Sequence, residues 1–220
     1  MIVAIDGPAG AGKSTVAHGV ARSMGYQLVN TGALYRAVAM RALRDGVSLE
    51  DAERTSEIAH DLRVGFGFAD GRATVTLDGD DVTDALREPD VGVGASIVSA
   101  HAEVRAALLD VQRALGETHD VVMEGRDIGT VIFPAAEVKV FLTASVRERA
   151  LRRHAEEATR GVETSLETVE QAIRERDSRD EQRACAPLMA ADDAVHVDGT
   201  AHSPEELIAH VLTLVRAVRE

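Results

Sequence analysis

The sequence predicts an α/β protein: a parallel five-stranded sheet with helices on both faces, interrupted by a small antiparallel piece. Three observations carry this. Short apolar runs recur at 2–5, 27–30, 119–124, 138–143 and 194–197, separated by stretches of helical period. The first run opens directly into a glycine-rich loop followed by a helix, the order in which a parallel strand hands over to a phosphate-binding turn. Between residues 64 and 82 the period changes to alternation, with turn signals at Asp70-Gly71 and Asp78-Gly79, the pattern of an antiparallel meander.

The first element organises the rest. Ile2 to Ile5 is an apolar strand that stops at Asp6, and Gly7-Pro8-Ala9-Gly10-Ala11-Gly12-Lys13-Ser14-Thr15 then completes the pattern Gly-x-x-x-x-Gly-Lys-Ser/Thr. Successive backbone N–H groups can cradle a triphosphate only where no β-carbon blocks the approach, hence the glycines. Lys13 is placed to reach the β- and γ-phosphates, and the Ser14 hydroxyl to ligate Mg²⁺. The next helix, with Val16, Ala17, Val20 and Ala21 as its apolar stripe, aims its positive end at the phosphates. The chain has two lysines, Lys13 and Lys139, and otherwise uses arginine. Keeping lysine beside Gly12 suggests that a compact ammonium is wanted there.

Gln27 to Asn30 reads as the second strand, followed by a helix carrying Leu34, Val38, Ala42 and Leu43 and ending at Asp45-Gly46. Ser48, with Asp51 three places on, resembles a capping box for a helix through Ala52, Ile58, Ala59 and Leu62. After the meander, Pro89 precedes a weakly helical stretch, 91–99, and a stronger helix, 103–115. His119 to Glu124 is a buried-strand pattern opening into Gly125-Arg126-Asp127-Ile128-Gly129-Thr130, a charged loop where ligands of open parallel sheets bind. Val138 to Thr143 is the fourth strand. Val146 to Arg160 is a helix broken at Gly161. Leu166 to Glu181 is another, with Arg176, Arg179 and Arg183 spaced along one face. Ala194 to Val197 is the last strand, and Ser203-Pro204-Glu205-Glu206 starts a final amphipathic helix through Leu207, Val211, Leu214 and Val218.

At 220 residues and 45% hydrophobic content the chain can bury a proper core and reads as one domain. A net charge of −13 argues against a nucleic-acid polymer or an anionic membrane as partner. The single Cys185 excludes an internal disulfide and a cysteine-based zinc site, which points to a reducing compartment, the cytoplasm. No apolar stretch approaches the ~18 residues of a membrane span.

Against this acidic background arginines gather near strand and helix ends: Arg36, Arg126, Arg176 and Arg183, with Arg147, Arg149, Arg152 and Arg153 on one helix. Transfer of a phosphoryl group between nucleotides brings several negative charges together, and they must be offset by a metal and by positioned cations. Arginine suits this because its fork binds phosphate in a bidentate way and stays charged.

The residues resemble the bacterial cytidylate kinases of the nucleoside monophosphate kinase group over nearly the whole chain. The resemblance rests on IDGPAGAGKST at 5–15, NTGALYRAVA at 30–39, EGRDIGTVIFP at 124–134, VKVFLTAS at 138–145 and RERDSRDEQRACAPL at 174–188. It implies ATP-dependent phosphorylation of CMP and dCMP with Mg²⁺, by a monomer, with a nucleotide-binding insertion at about 62–92 and a lid at about 145–164. Carried over residue by residue, it implies that Arg36, Arg126 and Arg183 bind the acceptor phosphate. Arg176 and Asp180 fall on the pentose; Ser96, Arg105 and Asp127 fall on the base, with Thr31 and Tyr35 also lining the acceptor site. Arg149, Arg152 and Arg153 belong to the lid over ATP, and Lys13, Arg126, Arg183 and Arg153 act on the transferred charge. The alternatives are a kinase for UMP, AMP or another small acceptor, and an ATP-binding module without transfer activity. A GTPase is disfavoured, since Asn30 is the sole asparagine and no glycine has Asp three places before it.

Overall fold

The structure is a computed structural model describing residues 1–69, 72–117 and 119–219; the Asp70-Gly71 turn lies outside the described residues. Five strands, β1 (Ile2–Asp6), β2 (Gln27–Asn30), β6 (Val121–Gly125), β7 (Val138–Thr143) and β8 (Val195–Asp198), form one sheet in the order β2-β6-β1-β7-β8. Every pairing is parallel, with Asp6 of β1 opposite Gly125 of β6 and Phe141 of β7. The chain leaves β1 toward one edge of the sheet and later fills the other edge. β1 is therefore the switch point, and its carboxyl end opens the crevice where ligands of such sheets bind.

The two-residue period of β1 explains both halves of the core. Val3 and Ile5 point to one face, with α1 (Lys13–Met24) and α8 (Pro204–Arg219), while Ala4 points to the other, with Val29, Met123, Ile128 and Ile132. Both faces are dry: Val3, Ala4 and Ile5 are fully buried, and each large side chain so buried contributes about 1.5–3 kcal/mol. A second helical layer packs α2 (Thr31–Arg44), α3 (Ala52–Asp61), α4 (Pro89–Val98) and α5 (Ala102–Glu117) through Leu34, Val38, Ala59, Val98 and Leu108.

The expected meander is present as a three-stranded antiparallel sheet of β3 (Val64–Ala69), β4 (Arg72–Leu77) and β5 (Asp80–Asp81). Asp78 and Gly79 both take positive φ, as a two-residue hairpin turn of this hand requires. A short 3₁₀ turn, Ala85–Arg87, leads from it into α4, which begins with Pro89 in its first turn. On the other side of the crevice α6 (Val146–Thr159) and α7 (Leu166–Gln182) form a hairpin around Ala150, Val169 and Ile173, with Gly161 at φ 73 between them.

Some expectations shift. The N-cap of α3 is Asp51, whose carboxylate accepts from Arg54 N at 3.0 Å, and not Ser48. Three residues earlier the chain is still turning, with Asp51 N bonded to Ser48 O. Leu43 and Val218, read as core positions, are exposed at the ends of their stripes. Arg176, Arg179 and Arg183 do not share a face: Arg179 is exposed, and Arg183 lies past the end of α7 in extended conformation. The final helix starts as read, with Ser203 Oγ accepting from Glu206 N while Glu206 accepts from Ser203 N.

Candidate active site

The glycine-rich loop stands at the carboxyl end of β1. A β-carbon at Gly7 would sit 2.0 Å from the Leu142 carbonyl oxygen of β7, and φ there is 145°, so only glycine fits. Gly12, at φ 96°, caps α1 with no side chain across the helix N-terminus, leaving its N–H groups open. Ser14 and Thr15 are exposed in the first turn of α1, while Lys13 is buried and donates to the Pro8 carbonyl at 2.8 Å. Burial, then the charge of Arg126, hold the Lys13 ammonium well below its ordinary pKa.

Beneath the loop, Asp6 accepts from the backbone N–H of Ile128 at 2.9 Å and of Gly129 at 2.8 Å, tying β1 to the loop after β6. That loop winds into one turn of π-helix, Ile128–Ile132, and so presents Arg126 and Asp127 into the crevice. Burial raises the Asp6 carboxyl to about 6, against the two backbone hydrogen bonds.

Arg36, Arg126, Arg153 and Arg176 converge with Lys13 on one half of the crevice. Arg36 donates to the Leu86 carbonyl at 3.1 Å, Arg126 binds Asp180 at 2.9 Å, and Arg153 binds Glu157 at 2.7 Å. Arg176 Nε is buried with no hydrogen-bond partner among the described residues. Burial, then Arg126, Arg36 and Arg153, push its guanidinium down to about 9; burial, then Arg153, lower Arg36 as well. Glu124 lies among these cations, with Oε1 buried and without a hydrogen-bond partner among the described residues. Asp180 is held below the usual carboxylate range: burial alone would raise it, but Arg126 and Arg176 outweigh that.

The other half is a buried pocket of mixed polarity. Arg105 forms an ion pair with Asp127, donates to the Ser99 carbonyl at 3.3 Å, and lies 5.5 Å from the centre of the Tyr35 ring. Arg183 approaches Asp127 at 3.7 Å without a hydrogen bond at that nitrogen, while its Nε donates to Ala186. Ser96 Oγ is buried with no hydrogen-bond partner among the described residues, and burial raises the Tyr35 phenol against the opposing effects of Arg105 and of a hydrogen bond with Gln112. Thr31 closes the floor between the halves, donating to the Glu124 carbonyl at 2.9 Å.

The structure thus brings together almost every residue singled out from the sequence. Arg176 sits among the cations of the first half, and Arg183 faces Arg105 and Asp127. Arg149, expected over the triphosphate, has its fork occupied by Asp177 and by two carbonyls. Arg152 donates to the Ala11 and Gly199 carbonyls. Arg147 turns outward to Glu170. Asp177 carries no expected role; its signal in the sequence is its place as the first acid of the Arg-Asp-x-Arg-Asp run at 176–180.

This arrangement offers a nest for a triphosphate, a patch of under-neutralised cations, and a pocket with unspent hydrogen-bonding groups, side by side. The comparisons with known proteins agree. The family model for cytidylate kinase matches residues 3–217. The cytidylate kinase of Ligilactobacillus salivarius (strain UCC118) is 44% identical over 213 residues, 97% of this chain and 95% of that protein. That of Stutzerimonas stutzeri (strain A1501) is 47% identical over 216 residues, covering 97% of this chain and 94% of the relative. Among solved structures, an uncharacterized protein from Eubacterium ventriosum ATCC 27560 has a TM-score of 0.54 over 99% of both chains at 10% identity, a likeness of fold alone. With its phosphate loop, cation cluster and polar pocket on a scaffold matched from end to end, the chain belongs to the cytidylate kinase family.

Proposed function

We propose that this protein transfers the γ-phosphoryl group of ATP to CMP and dCMP. The observation that carries the reading is Arg176: a buried guanidinium with an unpartnered Nε, among Arg36, Arg126, Arg153 and Lys13, is a group waiting for an anion. The loop from Gly7 to Thr15 cradles the donor's phosphates, with Lys13 on the β- and γ-groups and Arg152 and Arg153 above them. Arg36, Arg126 and Arg183 orient the acceptor phosphate, and Arg176 joins them on the charge being transferred. Asp180, fixed by Arg126, accepts from a pentose hydroxyl, and Ser96, Arg105 and Asp127 read the base above Thr31 and Tyr35.

No general base is required, since the acceptor phosphate is already an anionic nucleophile; the protein's work is alignment, charge neutralisation and exclusion of water. The exposed Ser14 hydroxyl and the orphaned Glu124 Oε1 fit a hard divalent cation such as Mg²⁺. When bound, it supplies further neutralisation of phosphate charge. The small sheet with the 3₁₀ turn acts as the acceptor-binding insertion at about 62–92, and α6 with the turn that follows it as the lid at about 145–164. Both close on the nucleotides. The working form is read as a cytoplasmic monomer, a reading supported by the lone Cys185 and the net charge of −13.

The test is ADP release from ATP and Mg²⁺ with CMP, dCMP, UMP or AMP as acceptor. Release with CMP and dCMP far above the others is expected. Release favouring UMP or AMP would make it a kinase for that acceptor, and no release with any acceptor leaves the silent ATP-binding module.

A further inference from the structure

The run of acids and arginines on α7 contains one residue with no part in the scheme above. Asp177 is buried and grips Arg149 of α6 through both carboxylate oxygens, at 3.1 and 2.7 Å. The same guanidinium donates to the Ala9 carbonyl at 3.0 Å and to the Ala144 carbonyl at 2.9 Å. Four of its five N–H donors are thereby engaged, so Arg149 is a fixed strut rather than a cation held free for a ligand. It reaches three segments at once: the phosphate loop, the end of β7, and α7. The loop packs against it closely, since a β-carbon on Gly10 would lie 3.2 Å from Arg149 Cβ.

The contact with Ala9 has a directional consequence. A trans peptide is planar, with its C=O and N–H on opposite sides. Holding the Ala9 carbonyl against Arg149 therefore turns the Gly10 N–H to the other side of the loop. Arg152 treats the next peptide but one similarly, donating to the Ala11 carbonyl at 3.3 Å. A glycine-rich loop has little intrinsic preference for one orientation, so an outside grip on its carbonyls sets where its N–H groups point.

We propose that Asp177 is a positioning residue for the phosphoryl donor, acting through Arg149 to hold the Ala9–Gly10 peptide of the phosphate loop in its anion-binding orientation. This rests on the reading of residues 7–15 as the donor's phosphate site.

Asp177→Asn keeps the shape, loses the charge, and presents an N–H₂ to a guanidinium that only donates. The experiment is calorimetric titration of ATP, without acceptor, into wild type, Asp177→Asn, Arg149→Lys and the double variant, with KM for ATP and CMP and melting temperature measured alongside. Wild-type ATP binding is read first; its absence defeats the donor-site reading and this proposal together. Given binding, Asp177→Asn is expected to weaken ATP about tenfold or more, with KM for CMP changed less than about twofold. Because both residues act through one contact, the double variant should lose no more than the worse single variant. A merely structural staple between α6 and α7 would lower the melting temperature and leave ATP affinity within twofold, and that result overturns the proposal. If Asp177→Asn does not fold, Asp177→Glu, which keeps the charge but displaces it, decides by the same ratio of ATP to CMP effects.

Discussion

Replacing Arg105 with methionine removes half of a buried ion pair while keeping much of the side-chain volume. Arg105 is 7% exposed and Asp127 is 3% exposed, so the carboxylate left behind cannot reach water. Its remaining cation, Arg183, stands 3.7 Å away. Breaking a buried pair from one side costs about 3–5 kcal/mol, and the approach of Arg183 puts this case near the lower end. At roughly 2–4 °C per kcal/mol for a chain of this size, the melting temperature should fall by roughly 6–12 °C. The second effect is on the base. Cytosine offers an N3 acceptor and an N4 donor where uracil inverts both, so two polar groups go unpaired with UMP. At ~1–3 kcal/mol each, wild type should prefer CMP by roughly 30-fold to 10⁴-fold in kcat/KM. Arg105→Met should lose more activity toward CMP than toward UMP and narrow that gap about tenfold or more. Adding Asp127→Asn should recover part of the stability without restoring selectivity. Calorimetry and kcat/KM for both nucleotides check this. A variant melting within 2 °C of wild type with an unchanged ratio would refute both the buried-pair argument and the base pocket.

Lys13→Arg should leave melting nearly unchanged but lower turnover by roughly 10²–10³-fold, because the broader guanidinium cannot follow the path that brings Nζ within 2.8 Å of the Pro8 carbonyl; wild-type turnover in the folded variant would count against it. Gly7→Ala should not fold stably, since its methyl meets the Leu142 carbonyl oxygen at 2.0 Å; a soluble variant with a wild-type melting curve would contradict the loop geometry. Asp6 keeps its proton to about pH 6 in the folded chain, against 3.8 for the free side chain. Its contribution to stability is therefore full below 3.8 and lost as pH rises through 6, by about 3 kcal/mol at ~1.36 kcal/mol per unit. Denaturation without nucleotide, compared between wild type and Asp6→Asn from pH 4 to 7, should show this loss only in wild type; parallel curves would exclude it. Hydrogen exchange over 146–161 and 64–83 should slow on adding a bisubstrate analogue, and unchanged exchange in both segments would refute closure.

The order of elements, the parallel sheet, the meander and the phosphate loop were legible in the sequence because each depends on residues close together. Val3, Ala4 and Ile5 announce a strand buried on both faces, and Gly7 to Thr15 carries its geometry in its own residue types. Helix starts were less secure where two polar residues competed, as Ser48 and Asp51 did. What the chain alone could not decide is which charges are free. Helical spacing alone says nothing of a partner for Arg105; packing α5 against the loop after β6 places it on Asp127, 22 residues away in sequence. Arg126 finds Asp180 across 54 residues, and Arg149 finds Asp177 across 28. Spacing within one helix reports only i, i+3 and i, i+4 neighbours, whereas these pairs depend on how two elements cross. The same packing separates Arg176, stranded among like charges, from Arg149, whose fork is occupied. Arginines alike in sequence are thus divided into anion binders and struts by the tertiary structure, because burial decides which guanidinium must find its partner inside the protein.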